Sequence, residues 1–234
     1  MPYRNLTLED LARRIGMDAR ELRKLADRGR LPGQYIGGEW RFNLAQMVDW
    51  LQREMHSLDR RHIENLERAT SDAPDQVSVS TLIAPQAVEL NLPARSKPSV
   101  LRELVVVAER TGLVWDVPAL LEALEEREAL CSTALAGGFA FPHPRRPLPY
   151  ATAEPLICIG YVPAGVPFGA PDGGITDLFV LVCSHDERAH LHTLARLASL
   201  FMTPLPDAIR AAADPAEALA AILTTEEELL QRRQ

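Results

Sequence analysis

Apolar residues recur at helical spacing through the first fifty positions. Leu8, Leu11, Ala12 and Ile15 share one face of a helix that Thr7 can cap and Gly16 ends. Asp18-Ala-Arg-Glu21 reads as a capping box for a second helix, which buries Leu22, Leu25 and Ala26 and stops at Gly29. Tyr35-Ile36 and Trp40-Arg41-Phe42 flank Gly37-Gly38, the signature of a hairpin with a two-residue turn. Asn43 can cap a third helix carrying Leu44, Met47, Val48 and Leu51. Leu44, Val48, Leu51, Met55 and Leu58 follow roughly heptad spacing, so a helix running on to Leu66 could pair two chains; a simple linker helix fits equally well. Further on, Val77–Leu82, Ile157–Val162 and Leu178–Cys183 read as strands. Leu101–Thr111, Val117–Ala129, Ala189–Phe201, Leu205–Ala213 and Pro215–Leu230 read as helices. Interleaved strands and helices predict an α/β domain, a mixed central sheet with flanking helices. The organisation expected is a small winged helix-turn-helix at 1–55, a helical linker at 56–75 and the α/β domain at 76–234.

Two short helices, a tight turn, a hairpin wing and a closing helix resemble the excisionase and MerR type of DNA-binding head. The string from Leu11 to Gly33, followed by Gly38-Glu-Trp-Arg-Phe42, carries that resemblance. Arg20, Arg23, Lys24 and Arg28 fall on the polar face of the second helix, where they could reach phosphates or guanine edges. Arg41 on the wing could contact backbone phosphate. The same charges would also suit the solvated face of a protein-interaction module.

Charge separates the halves. Residues 1–55 hold ten basic against eight acidic residues, a net of +2, while the chain as a whole is at -7. A slightly basic head on an acidic body argues against a protein that coats nucleic acid uniformly. No apolar run approaches the ~18–20 residues of a membrane span, and the N-terminus shows no apolar signal region, so a cytoplasmic location without membrane contact is expected. Cys131, Cys158 and Cys183 match no metal or disulfide pattern and read as small buried hydrophobes.

The chemistry lies in the string from Arg127 to Arg145. His143 stands between Pro142 and Pro144. Each proline fixes its own φ, and Pro144 keeps His143 out of the helical region, so the imidazole rides on a stiff extended segment. A neutral ring nitrogen there is a nucleophile, provided a hydrogen bond holds the other nitrogen in the right tautomer. Arginine neutralises phosphoryl oxygens with paired donors, and Arg145 follows two residues on. His190 and His192 lack a carboxylate at ligand spacing, so no metal or other cofactor is expected. Ser184-His185-Asp186 is contiguous and cannot fold into a hydrolytic triad. His56, His62, His185 and His192 read as surface or helix residues.

Arg127-Glu128, Ser132-Thr133, Gly138 and Ala140-Phe141-Pro142-His143 together resemble the enzyme IIA domain of the bacterial phosphoenolpyruvate-dependent phosphotransferase system, in its fructose, mannitol and nitrogen-regulatory class. Ser96-Lys97-Pro-Ser-Val-Leu101 resembles that family's opening helix, and His190-Leu191 its second active-site His-Leu. The family often has glycine where this chain has Ala134 and Ala136, which could reshape the turn before His143. The resemblance implies that His143 is phosphorylated by the carrier protein HPr or its nitrogen-branch relative. Arg127 would steady the phosphoryl group and His190 would hydrogen-bond the ring or the phosphate, with Ser132, Thr133 and Arg145 as further phosphate-stabilising groups. Three whole-chain functions follow. One is a regulator in which phosphorylation tunes the DNA-binding head or a protein partner, working as a monomer or homodimer. The others are a transport phosphocarrier passing phosphate to a IIB domain, and a binding-only regulator with a vestigial IIA fold.

Overall fold

The computed structural model describes residues 5–54, 58–71 and 78–232, with the backbone alone at Arg53. The head contains the helices and hairpin that the pattern predicts, together with a strand that it does not, β1 (Asn5–Leu6); the others are α1 (Leu8–Ile15), α2 (Ala19–Asp27), β2 (Gln34–Ile36), β3 (Glu39–Asn43) and α3 (Leu44–Glu54). Thr7 accepts from the Asp10 amide at 3.1 Å, and the Asp10 carboxylate reaches back to the Thr7 amide, so this capping box closes fully. At α2 only half of the expected box forms. Asp18 caps the Arg20 and Glu21 amides, but the Glu21 carboxylate meets His62 at 3.1 Å. Gly37 and Gly38 both sit at positive φ, as a two-residue turn on twisted strands demands. β3 pairs with β2 on one side and β1 on the other, and Leu11, Leu22, Phe42, Met47 and Leu51 fill the core beneath.

Of the two readings of this stretch, a helix running unbroken from Asn43 to Leu66 does not form. Asp59 caps the His62 amide at 2.9 Å and starts a new helix, α4 (Arg60–Thr70). Met55, His56 and residues 72–75 of the expected linker lie outside the described residues. Val48 and Leu51, members of the apolar row that would have paired two chains, are buried inside this one. One edge of α4 receives α1: Gly16, at φ 68, lies so close that a Cβ there would stand 2.3 Å from the Asn65 carbonyl oxygen. The other edge packs along the body of the protein.

That body contains β4 (Val88–Glu89), α5 (Lys97–Glu109), α6 (Val117–Leu130), β5 (Ala134–Leu135), β6 (Phe139–Ala140), β7 (Leu156–Val166), β8 (Thr176–Cys183), α7 (Glu187–Phe201), α8 (Leu205–Ala211) and α9 (Pro215–Gln231). The sheet runs β4-β7-β8-β6-β5. β4 joins β7 and β6 joins β8 in parallel; the other two pairings are antiparallel. Leu156–Gly160 of β7 and Leu178–Cys183 of β8 are buried throughout, with α5 packed against β7 and α7 against β8. Cys158 and Cys183 are buried there, and burial pushes the Cys183 thiol up to about 12. Cys131 differs from expectation: it is half-buried beside Arg127.

Val79–Leu82 is a 3-10 turn, not the expected strand. The Glu226 carboxylate explains the difference, because it accepts from the Val79 amide at 2.7 Å and the Ser80 amide at 3.0 Å. Donors that would have entered a sheet ladder are taken by a side chain on α9. Glu226 in turn accepts from Arg196 Nη1 at 3.2 Å, and Arg196 Nε donates to Glu67. This buried Glu67–Arg196–Glu226 triad ties α4, α7 and α9 together. Removing its cation leaves two buried carboxylates facing each other, and breaking such a network costs about 3–5 kcal/mol. Arg196→Met is expected to lower stability in urea unfolding by that order; a loss below about 1 kcal/mol would show that α4 is held by apolar packing alone.

Candidate functional site

Pro142 places His143. Its carbonyl accepts from the Val182 amide at 2.9 Å, which extends the β6–β8 pairing past the end of β6 and fixes the segment against the sheet. His143 Nδ1 lies 2.7 Å from the Phe141 carbonyl oxygen. A carbonyl can only accept, so Nδ1 carries the proton and Nε2 holds the lone pair. Nε2 is buried and has no partner among the described residues. His190 stands in the first turn of α7, which Asp186 caps through the Arg188 and Ala189 amides. Its ring centre is 5.1 Å from that of His143, at an interplanar angle of 58°. Ser184 Oγ lies 3.3 Å from His190 Nδ1.

Arg127, at the end of α6, is 3% exposed. Its Nη1 donates to the Cys131 carbonyl at 2.9 Å and the Cys131 sulfur at 3.3 Å. No carboxylate pairs with it among the described residues. The neighbouring Glu128 is already engaged, by Lys97 Nζ at 2.8 Å and by the Thr133 amide and hydroxyl at 3.0 and 2.7 Å. The result is a buried guanidinium without an anion, beside two imidazoles. Burial, then the neighbouring His190, then Arg127 hold the His143 pKa well below its ordinary 6.5, with the Phe141 bond opposing weakly. Burial and then Arg127 lower His190 to about 4, with Asp186 opposing. Both rings are neutral at pH 7.

A cleft of about 410 Å³ opens over Arg127 and His143. Arg127, His143, Ser132 and Thr133 line its polar side, and Phe139, Phe141 and Phe201 its apolar side. The head contributes Gln52 from α3, and α4 contributes Ile63. Thus the structure gathers Arg127, His143 and His190 as one group. Ser132 and Thr133 reach the cleft, but their hydroxyls donate to the Phe168 carbonyl and to Glu128, so they brace the loop. The turn after them rests on Gly137 and Gly138, both at positive φ, while Ala134 sits within β5. Arg145 turns away to Asp49 on α3, with Nε at 3.0 Å from the carboxylate. His192 is buried on α7 against the Glu67 carbonyl, and His185 bonds Thr152. No cluster of three or more metal-ligating side chains is found among the described residues. The sequence reading gave no role to Glu128, Ser184 or Gln52. Glu128 adjoins Arg127 in the motif and was the accessible one; Gln52 reaches the cleft only through tertiary packing.

On the head, Arg20, Arg23, Lys24 and Arg28 are exposed, and none has a carboxylate partner among the described residues. Arg41 is half-exposed and pairs with Glu39 at 2.7 Å. Tyr35 and Ile36 stand exposed on the wing. No helix among the described residues is long and apolar enough to cross a membrane.

Fold and site together define a mixed α/β domain that buries a histidine pair beside an arginine with no carboxylate partner among the described residues, and that carries a helix-turn-helix head. Residues 81–225 match the family model of the phosphoenolpyruvate-dependent sugar phosphotransferase system, EIIA 2, and residues 6–55 match that of a helix-turn-helix domain. The chain belongs to the EIIA 2 family. It is 34% identical over 126 residues to a nitrogen regulatory protein of Bradyrhizobium diazoefficiens, covering 52% of this chain and 78% of the relative. It is 28% identical over 128 residues to the fructose-specific EIIABC component of Bacillus subtilis, covering 54% of this chain but only 20% of that longer protein. The crystal structure of the nitrogen regulatory protein IIA-Ntr from Neisseria meningitidis shares the fold, with a TM-score of 0.56 at 22% identity over 62% of this chain and 98% of that one. The two resemblances drawn from the sequence, to enzyme IIA and to a helix-turn-helix head, therefore both hold.

The depressed pKa of the two histidines sets a pH dependence. In the unfolded chain each ring takes up a proton near pH 6.5, whereas in the folded chain it does not. Stability is therefore fully present above about pH 7 and falls as pH drops toward 4. For His190 alone the loss is on the order of 3 kcal/mol. Urea unfolding at a series of pH values is expected to show that fall in the wild type and a shallower one in His190→Gln; equal slopes would mean that His190 is solvated and titrates normally.

Proposed function

We propose that the chain is a phosphotransferase-system regulator in which His143 accepts a phosphoryl group from a phosphocarrier protein, and in which that event is coupled to a DNA-binding head. The observation that carries the reading is the buried Arg127 guanidinium, which has no carboxylate partner among the described residues and sits next to a neutral histidine whose Nδ1 proton is held by the Phe141 carbonyl. A buried cation without an anion is a site prepared for one.

The step balances without a metal or a proton donor. His143 Nε2 attacks the phosphorus of the carrier's phosphohistidine, a new P–N bond forms, the carrier's P–N bond breaks, and the carrier's ring, already protonated on its other nitrogen, takes that electron pair and leaves as neutral imidazole. Nδ1 keeps its proton, donated to the Phe141 carbonyl oxygen, throughout. Arg127 offsets the charge on the transferring oxygens, and the protein contributes position and charge more than covalent chemistry. His190, neutral and 5.1 Å away, supplies a ring nitrogen to the phosphorylated product. The second half of the reading rests on the head: an exposed row of basic side chains on α2 has the geometry to enter a major groove, with the wing alongside.

Incubation with phosphoenolpyruvate, enzyme I and the carrier is expected to place acid-labile phosphate on the wild type and none on His143→Ala. Arg127→Met should slow the transfer roughly 100-fold or more, the usual scale for deleting a donor aimed at developing charge. Label on His143→Ala would move the site elsewhere. In gel-shift assays with the promoter regions of the protein's own genomic neighbourhood, Arg23→Ala with Lys24→Ala should weaken binding and reduce the slope of log affinity against log salt by about 0.9 per lost phosphate contact. Affinity that is the same for phosphorylated and unphosphorylated protein would remove the coupling.

A further inference from the structure

Gln52 lies on α3, in the head, yet it belongs to the surroundings of His143. Its side chain is 9% exposed, and its Nε2 is buried with no partner among the described residues. It lines the 410 Å³ cleft with Arg127 and His143, and also a second cleft of about 220 Å³ with Asp49, Arg127 and Arg145. Arg127 lines both as well, so Gln52 and the guanidinium border the same two spaces. Two kinds of unmet demand therefore meet here. The carboxamide nitrogen offers hydrogens with no acceptor, and Arg127 offers charge with no anion. His143 Nε2, also unpartnered, is where an acceptor-rich group would be attached.

A polar interior normally satisfies its donors, and an exception calls for an occupant. A phosphoryl group fits this one: it brings three acceptor oxygens and close to two negative charges into a space lined by an arginine and an amide. An apolar ligand would leave the carboxamide unmet, and a cation would oppose Arg127.

We propose that Gln52 is a phosphoryl-binding residue supplied by the helix-turn-helix head, its carboxamide donating to an oxygen of the phosphoryl group on His143. This rests on the reading of His143 as the phosphoacceptor and adds to it the physical link between the two domains. Its consequence is reciprocal. If the phosphoryl group holds α3, then docked α3 holds the phosphoryl group, and the phosphorylated state and the head's position bias each other by the same factor.

The test uses the full chain with phosphoenolpyruvate, enzyme I and the carrier. Gln52→Leu keeps the volume and removes the donor; Gln52→Glu keeps the shape and sets a carboxylate against the phosphoryl oxygens. In Gln52→Leu the equilibrium between carrier and His143 should shift roughly tenfold toward the unphosphorylated chain, the usual scale for one hydrogen bond to a charged group. Gln52→Glu should shift it further. The wild-type Gln52 side-chain amide should also move in a ¹⁵N–¹H spectrum on phosphorylation, a change that a purely structural glutamine would not show. A labelled wild type whose equilibrium and phosphohistidine lifetime are matched by both variants overturns this assignment alone. Absence of label on the wild type, with the upstream components active, overturns the phosphoacceptor reading and this one with it.

Discussion

Burying Arg127 without a carboxylate is the constraint around which the site is arranged. A guanidinium removed from water costs several kcal/mol unless something answers its charge. Here the answer is partial: the carbonyl and sulfur of Cys131 take one nitrogen, while the adjacent Glu128, which could have neutralised it, is drawn off by Lys97 and Thr133. The residual positive potential does two things at once. It helps keep His143 and His190 unprotonated, and it leaves an electrostatic vacancy suited to an anion. A carboxylate in contact with Arg127 would end both. The Glu128 network is thus a means of keeping a negative charge close in sequence and away in space.

The second constraint is the short bond from His143 Nδ1 to the Phe141 carbonyl. A carbonyl two residues back in an extended segment can serve this way only because Pro142 and Pro144 hold the chain straight. The tautomer is therefore set by backbone stiffness, and the lone pair is delivered to Nε2 on the side of the cleft. Burial then prevents the ring from taking a proton that would remove its nucleophilicity. Position, tautomer and protonation state come from three separate physical causes that agree.

The head is not tethered loosely to this body. Helix α4 lies against both, receiving α1 at Gly16 and facing α7 through the Glu67–Arg196 pair, while Asp49 on α3 grips Arg145 just beyond His143. The exposed basic row on α2 thus belongs to the same head whose Gln52, on α3, lines the cleft with His143. On the proposed reading, a charge placed on His143 would act on Arg127 and Gln52, which line its cleft, and Asp49 lines the neighbouring cleft with both.

Much of the plan is local and so was readable from the chain. Caps, glycine turns and the two-glycine hairpin act within a few residues, and they determined the head element by element. The run from Arg127 to His143 and the Pro-His-Pro stiffness are also local, and the long helices and β7 and β8 followed from periodicity. Two-residue strands such as β4, β5 and β6 carry no periodic signal, and the turn at Val79 depends on a carboxylate from α9, far along the chain. The direction of Arg145, the engagement of Ser132 and Thr133 by loop partners, the break at Asp59 and the arrival of Gln52 in the cleft are all choices among competing partners. Sequence determined which groups the protein possesses; the tertiary structure alone decided which of them meet, because a long side chain takes the partner that packing brings within hydrogen-bond distance, and packing joins residues that the chain keeps far apart.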